Sequence, residues 1–243
     1  MKSRIILLGS LVLFWSAPLC AQSDTVDTFF GDETDFRVTL GVSGGIAFVN
    51  PDEVNEQLAF VNNSIDVQME KLSSMQHYAA FMRVKPRMAP YFLLRLEAMT
   101  VSRSFDYTAY GRSASNVSTG SFTTTNVTRW TVYPLVIGVG SAIPKTPIDV
   151  EVGAVYAVGY ITENGTIQGG GSYKSSSSGN GFGLQGRVAP RFKIAQNTSL
   201  SLEVAYRMLR IRNYSDDFGR QDKFFEFYLD GMTLGFGVVY TFN

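Results

Sequence analysis

Residues 232–242 alternate between apolar side chains and small or polar ones almost without a break. Successive side chains of a β-strand point to opposite faces, so this segment is predicted to be a strand with one apolar face. That face carries Met232, Leu234, Phe236, Val238, Tyr240 and Phe242. A soluble sheet can use such a strand. However, an apolar face that ends in aromatic residues is typical of strands that cross a bacterial outer membrane.

The first 21 residues are typical of a secretory signal peptide that ends at Ala21. A basic start precedes an apolar run over residues 5–15. This run is shorter than the roughly 20 residues that a membrane-spanning helix needs, which disfavours a membrane anchor. Cys20 would allow a lipid-modified N-terminus, but Leu19 is a poor residue to precede such a cysteine. Cleavage at Ala21 is therefore the favoured interpretation.

Cleavage would remove the only cysteine, so neither disulfides nor thiol chemistry are expected in the mature chain. The 21 basic and 21 acidic side chains balance, whereas nucleic-acid-binding proteins usually carry a basic excess. A single histidine leaves little for transition-metal ligation, and we predict no metal and no cofactor. Residues 22–35 are polar and acidic, and we predict a flexible periplasmic lead-in there. The folded domain is expected at residues 36–243.

Seven further segments alternate between apolar and small or polar residues, one of them with a break, which predicts eight strands. The predicted strands are residues 36–49, 77–89, 92–104, 127–143, 148–162, 181–194, 199–211 and 232–242. The connections alternate between long polar segments and short turns. The long ones are residues 50–76, 105–126, 163–180 and 212–228, and the short ones lie near Pro90, Lys145 and Asn197.

This rhythm predicts an all-β fold, an eight-stranded antiparallel up-and-down transmembrane β-barrel with both termini in the periplasm. The alternative is a soluble β-sandwich or a lipocalin-like barrel. A lipocalin would fill its interior with apolar residues and present a polar outer face. Here the predicted outer faces are apolar, and aromatic residues lie near both rims, which favours the membrane barrel.

The strand at residues 127–143 departs from the pattern. Trp130 and Val132 fit an outward face of even-numbered residues, whereas Ile137 fits an odd-numbered one. One extra residue near Pro134 would reconcile the two halves, and proline favours bulges because it lacks an N–H. We therefore predict a β-bulge at Pro134, with Trp130 in an outer aromatic girdle.

Charged side chains recur on the faces predicted to point into the barrel. They are Arg37, Arg83, Lys85, Arg87, Arg95, Glu97, Asp149, Glu151, Arg187, Arg191, Glu203 and Arg207. Eight strands enclose a space about wide enough to be filled by side chains, and buried charges need partners. A closed, ion-paired lumen is therefore favoured. The basic excess of this set leaves a narrow, anion-preferring pore for small solutes as the alternative.

The first long connection begins with a strong helix-start signal, Asn50-Pro51-Asp52-Glu53. Apolar residues from Val54 to Leu72 then predict a short helical insertion within residues 50–76. A lid that packs on the rim is favoured over a docking surface for a partner. The other long connections either bind an extracellular ligand or extend the strand pairs above the membrane.

The signal peptide, the strand rhythm and the terminal Tyr240-Thr241-Phe242 give residues 36–242 a resemblance to small eight-stranded outer-membrane barrels of the OmpA, OmpX and OmpW type. The resemblance implies a monomer in the Gram-negative outer membrane that contacts lipids, and the balanced charge predicts that it binds no nucleic acid. It also implies that the barrel-insertion machinery reads the last strand. The signal residues would be Phe236, Val238, Tyr240 and Phe242, although Asn243 follows the final aromatic residue. Because this architecture hosts many functions, the resemblance transfers no activity.

Some barrels of this kind are lipid-modifying enzymes with histidine and serine near the outer rim. His77 is the only histidine, at the predicted outer end of the second strand, and Ser73, Ser74 and Ser104 are near in the predicted order. A nucleophile needs a base and a third group that orients the base, and the spacing shows no such assembly. His77 is therefore predicted to be a surface residue. We assign no catalytic residue, and an enzyme is a distant alternative.

Overall fold

The structure is a computed structural model that describes residues 36–65, 69–86, 90–112, 118–167, 170–216, 221–222 and 226–242. The predicted signal peptide and lead-in, Arg87 of the predicted lumen set, and Asn243 lie outside the described residues. Within them, antiparallel strands make up nearly all of the secondary structure.

Long strands run up and down along the chain. They are β1 (Phe36–Val49), β2 (Ser74–Pro86), β3 (Tyr91–Arg112), β4 (Ser118–Ala142), β5 (Ile148–Ile167), β6 (Ser172–Lys193), β7 (Thr198–Asp216) and β10 (Gly231–Phe242). Two short strands, β8 (Gln221–Asp222) and β9 (Phe227–Tyr228), pair with β7. The helix α1 (Asp52–Ile65) follows β1.

The long strands close into a ring. Each pairs with the next along the chain, and β10 pairs with both β1 and β7. In this closure Val238 lies opposite Val42 on one side, and Phe236 lies opposite Leu202 on the other. A closed ring leaves no unpaired sheet edge. It therefore meets the requirement that backbone groups in hydrocarbon be hydrogen-bonded within the protein.

The outer surface of the ring is an apolar belt. Exposed members include Leu40, Val42, Phe92, Leu96, Ile137, Tyr160, Phe182, Phe236 and Phe242. A contiguous apolar surface of this kind marks a membrane or protein contact rather than a water-facing surface. With the closed ring, it confirms the predicted all-β transmembrane barrel. Among the described residues, no helix is both long and apolar enough to cross a membrane.

The two ends of the barrel differ. At the turn end, short connections join β2 to β3, β4 to β5 and β6 to β7. We call the opposite end the loop end. There, several strands continue well past their predicted limits. Pairing of β3 with β4 runs on through Phe105↔Asn126 to Tyr110↔Ser121, and β5 pairs with β6 through Glu163↔Ser175. Two segments predicted as long loops are therefore largely extended hairpins, which is one of the two predicted alternatives.

The predicted bulge in β4 is wrong. Pairing with β5 is regular through Pro134↔Ala157, and the β3 register is the same on both sides of the proline. Even-numbered residues face inward throughout, so Trp130 is buried in the lumen at 4% exposure rather than in a girdle. The missing N–H is accommodated in a different way. The β3–β4 pairing skips Tyr133 and Pro134, so one stretch of ladder is lost without a shift in register.

Candidate functional site in the lumen

The turn-side half of the lumen is filled by a layer of buried charged side chains, which we call the ionic layer. Its members are Arg83, Arg95, Arg187, Arg207, Glu97, Asp149, Glu151 and Glu203, none more than 5% exposed. Two-residue spacing places Arg95 with Glu97, and Asp149 with Glu151, on the inward faces of β3 and β5. The four arginines and four carboxylates balance, so the layer is formally neutral.

A chain of ion pairs crosses the lumen from β3 to β5. Arg95 contacts Glu97 at 2.7 Å and Glu203 at 2.6 Å. Arg187 contacts the other oxygen of Glu203 at 2.5 Å and Glu151 at 2.5 Å. Each of these groups has more than one partner. This is the arrangement that makes buried charges tolerable, because a lone buried charge is very costly.

Towards the turn end, Arg83 extends the chain. Its Nη1 lies 2.9 Å from Asp149 Oδ2, and its Nε lies 2.9 Å from Glu151 Oε1. The Tyr91 hydroxyl donates to the same Glu151 oxygen at 2.8 Å. Arg191, only partly buried, reaches Asp149 Oδ1 at 2.8 Å. Tyr91 is therefore part of the layer's support, although its sequence position suggested a turn.

Towards the loop end, Glu97 is the hub. It pairs with Arg207, and its Oε1 accepts a hydrogen bond from Gln185 at 3.3 Å. His77 Nε2 lies 3.2 Å from Glu97 Oε2. The predicted surface position of His77 is therefore wrong, because the β2 register turns it inward at 1% exposure. Alternation along β2 also turns Ser74 to the opposite face from His77.

The ring of Phe81 lies among three guanidinium groups. The guanidinium carbons of Arg83, Arg95 and Arg187 are 4.7, 5.3 and 5.2 Å from its centroid. Desolvated cation–π contacts of this kind are worth about 2 kcal/mol each. Gly41 makes room for the ring, because a Cβ at Gly41 would lie 2.2 Å from Phe81 Cζ. Sequence reasoning missed Phe81; the inward glycine directly opposite it was the available signal.

The loop-side half of the lumen is filled by apolar side chains, here the apolar plug. Its members are Val54, Leu58, Leu72, Met75, Met99, Trp130, Val132, Leu209, Ile211, Phe227 and Leu229, all at most 8% exposed. Met99 borders both regions, since Arg207 Nη1 lies 3.0 Å from its sulfur. The lumen is therefore filled above the ionic layer as well as within it.

Helix α1 covers the plug, as predicted for a lid. Val54 and Leu58 belong to the plug. Asn55 holds the returning chain through two hydrogen bonds with Leu72, donating to its carbonyl at 3.1 Å and accepting from its N–H at 2.7 Å. At the helix start, Glu53 accepts a hydrogen bond from the Glu226 N–H at 2.9 Å. The helix is thus fastened both to its own connection and to the segment before β10.

The remaining predicted site residues lie elsewhere. Arg37 and Lys85 stand at the turn end, half-buried and opposite each other in register, so the basic excess among the described members of the predicted set lies at that end. The predicted insertion residues Phe236, Val238, Tyr240 and Phe242 all face outward on β10. Within the described ranges, no group of three or more His, Cys, Asp or Glu residues is placed to hold a metal ion.

A closed ring of strands, an apolar outer belt and a filled lumen define an integral β-barrel of the bacterial outer membrane. No protein-family model matches the chain, and no curated protein matches its sequence.

Several solved outer-membrane proteins are similar in structure. A major outer membrane protein from Thermus thermophilus is 13% identical, over 86% of this chain and 100% of that one, with a TM-score of 0.40. Ail from Yersinia pestis, in complex with the heparin analogue sucrose octasulfate, is 9% identical over 86% and 100%, with a TM-score of 0.37. OprG from Pseudomonas aeruginosa is 10% identical over 88% and 99%, at 0.34. Likenesses at this level carry no argument about activity.

Proposed function

We propose that this protein is an outer-membrane barrel of structural and surface-interaction type with a closed lumen. The observation that carries the proposal is the unbroken ion-pair chain through Glu97, Arg95, Glu203, Arg187 and Glu151. A solute path would have to separate these charges and leave some of them without partners, at a cost of several kcal/mol each.

The apolar plug supports the same proposal independently. Even if the ionic layer rearranged, Met75, Trp130 and Leu209 would still occupy the lumen beneath α1. An apolar constriction resists wetting and therefore ion passage. Two barriers of different chemistry in series favour a closed barrel over a channel.

The alternative, a narrow anion-preferring pore, requires a lumen lined by excess positive charge. Its support is the cluster of Arg37, Lys85 and Arg191 at the turn end. Against it, the ionic layer is balanced where the lumen is filled. A rim enzyme has less support, because His77 is enclosed beside Glu97.

The partners proposed for this barrel follow from its outer surfaces. Membrane lipids would contact the apolar belt, and the insertion machinery would read the outward aromatic face of β10, with Tyr240 and Phe242 in contact at 4.8 Å between ring centroids. The extended hairpins β3–β4 and β5–β6 offer polar surfaces to an extracellular ligand. We propose a monomer that does not bind nucleic acid.

Planar-bilayer recording of the purified, folded chain tests the closed lumen. The wild-type protein is expected to show no discrete conductance steps. A double variant, Arg95→Ala with Glu203→Ala, removes the centre of the chain and is also expected to show none, because the apolar plug still fills the loop-side half of the lumen. Discrete anion-selective steps from the wild-type protein would establish the pore instead.

Mass spectrometry of outer-membrane lipids tests the enzyme alternative. Lipid A and phospholipids incubated with the protein are expected to be unchanged. New acylated or deacylated species that disappear in a His77→Gln variant would contradict a purely structural role.

A further inference from the structure

The turn end of the lumen contains a small cavity of about 40 Å³ that borders the ionic layer at Arg83. Its wall carries Arg37, Arg83, Lys85 and Arg191, and no carboxylate of the described residues lines it. One water molecule needs roughly 10–15 Å³ of cavity volume, so the cavity accommodates about three waters or one small ion.

The charges around this cavity leave it positive. Asp149 lies behind the wall, fully buried, and is shared between Arg83 and Arg191. Glu151 lies deeper and already accepts from Arg187 and Tyr91. Asp149 and Glu151 thus pair with the arginines on the side away from the cavity. The side chains that line the cavity are all cationic or neutral.

Two donors of Arg83, Nε and Nη2, are buried without a hydrogen-bond partner within the part of the chain that the structure describes, and the residue is 3% exposed. Of the two, Nε still lies 2.9 Å from Glu151 Oε1, as an ion contact. The remaining nitrogen, Nη1, faces Asp149 at 2.9 Å. The guanidinium is held in place by the rings of Phe81 and Tyr91, at 4.7 and 5.3 Å from its carbon. A buried charged donor without an acceptor is costly, so a ligand that accepts a hydrogen bond from Nη2 would stabilise this site.

Hydroxyl groups complete the lining. The Thr39 and Thr241 oxygens lie 3.3 Å apart, and the Tyr91 ring forms another side. Guanidinium, ammonium and hydroxyl donors that converge on one small space are the groups that recognise phosphate oxygens. We propose that this cavity binds a small oxyanion of phosphate type, with Arg83 Nη2 as its innermost donor. The site goes beyond the proposed function, because a barrel closed above it can still bind an anion at this end.

Isothermal titration of the full, detergent-folded chain with inorganic phosphate at low salt tests the site. The wild-type protein is expected to bind phosphate saturably at one site. Lys85→Gln and Arg37→Gln should each weaken binding by about tenfold, since each removes a charge-assisted contact worth about 1.4 kcal/mol. Lys145→Gln is the matched control. It removes the same charge at the same end of the barrel, from an exposed turn outside the cavity, and should leave binding unchanged.

The source of the phosphate is distinguished by a second titrant. Binding of glycerol 3-phosphate with equal affinity indicates a site for esterified phosphate, whereas its exclusion indicates free phosphate. Heat-modifiable migration on a gel verifies that each variant is folded. If either Lys85→Gln or Arg37→Gln fails to fold, the other still tests the site. Absence of saturable binding in the wild-type protein overturns the proposal. If Lys145→Gln weakens phosphate binding as much as the cavity variants do, the proposal is also overturned. Phosphate would then be attracted to the basic end of the barrel without a specific site.

Discussion

The ionic layer and the apolar plug fill one lumen by opposite means. The layer is held by ion pairs between residues far apart in the chain, such as Arg95 on β3 and Glu203 on β7. The plug is held by apolar contacts and is completed by a helix from outside the ring. Its filling therefore depends on the insertion at α1, whereas the layer needs only the strands.

The two regions should also respond differently to substitution. Removal of one partner from the layer leaves a buried charge uncompensated, which costs more than the contact itself gave. Removal of a plug side chain leaves a void, and its cost grows with the volume that the surroundings fail to fill. Four substitutions separate these responses.

The largest effect is expected for Arg95→Met, which keeps the side-chain bulk but removes the charge. Glu97 and Glu203 each lose a partner, and the free energy of unfolding should fall by about 3–5 kcal/mol. Urea unfolding in lipid vesicles, followed by tryptophan fluorescence, measures it. Arg129→Met on the exposed side of β4 is the control, with an expected change within about 0.5 kcal/mol. A loss below about 1 kcal/mol for Arg95→Met would mean that the layer is not held by its pairs.

In the plug, Leu209→Ala should cost about 3 kcal/mol, because Leu209 is fully enclosed and the void has no solvent to fill it. The control is Leu202→Ala on the same strand, whose side chain faces outward. Lipid can occupy the space left there, so its loss should be clearly smaller in the same unfolding assay. Equal losses would show that the loop-side lumen is not packed as a core.

At the boundary between backbone and layer, Gly41→Ala should cost about 2 kcal/mol through overpacking. The added methyl group would meet the Phe81 ring, which cannot retreat without disturbing three arginines. Gly186→Ala is the matched control, because no atom of the described residues lies within 4 Å of a Cβ at that outward position. If both variants unfold at the wild-type urea concentration, the close fit of Phe81 is not a source of stability.

Much of this contrast could be predicted from the sequence, but unevenly. Charges at Arg95, Glu97 and Glu203 stood out because alternation put them opposite an apolar, lipid-facing side. Their partners could not be predicted, since Arg95 meets Glu203 only through the closure and register of the whole ring. Tyr91 was missed for a related reason, because β3 begins at that residue and turns it inward.

The apolar plug was largely missed because its members resemble lipid-facing residues. Trp130 and Val132 are apolar and were assigned to the outer face, which then required a bulge at Pro134. Gly140 faces inward, and every second residue from Gly140 back to Trp130 lies on the same face of β4. The regular alternation was therefore present in the sequence. Periodicity separates two faces, but it cannot say which apolar face meets lipid.

The smallest effect is expected at the lid. Asn55→Ala removes both hydrogen bonds to Leu72 and leaves its buried backbone groups unsatisfied. The cost should be about 1 kcal/mol, at the low end for such groups, because water can reach them when α1 moves. Asn63→Ala, on an exposed position of the same helix, serves as control. Hydrogen exchange provides the sharper measurement. The Leu72 amide should exchange faster in Asn55→Ala, while amides beside Arg95 in β3 keep their protection. Faster exchange in both places would mean that the lid and the ionic layer open together, and that the lumen is one cooperative unit rather than two.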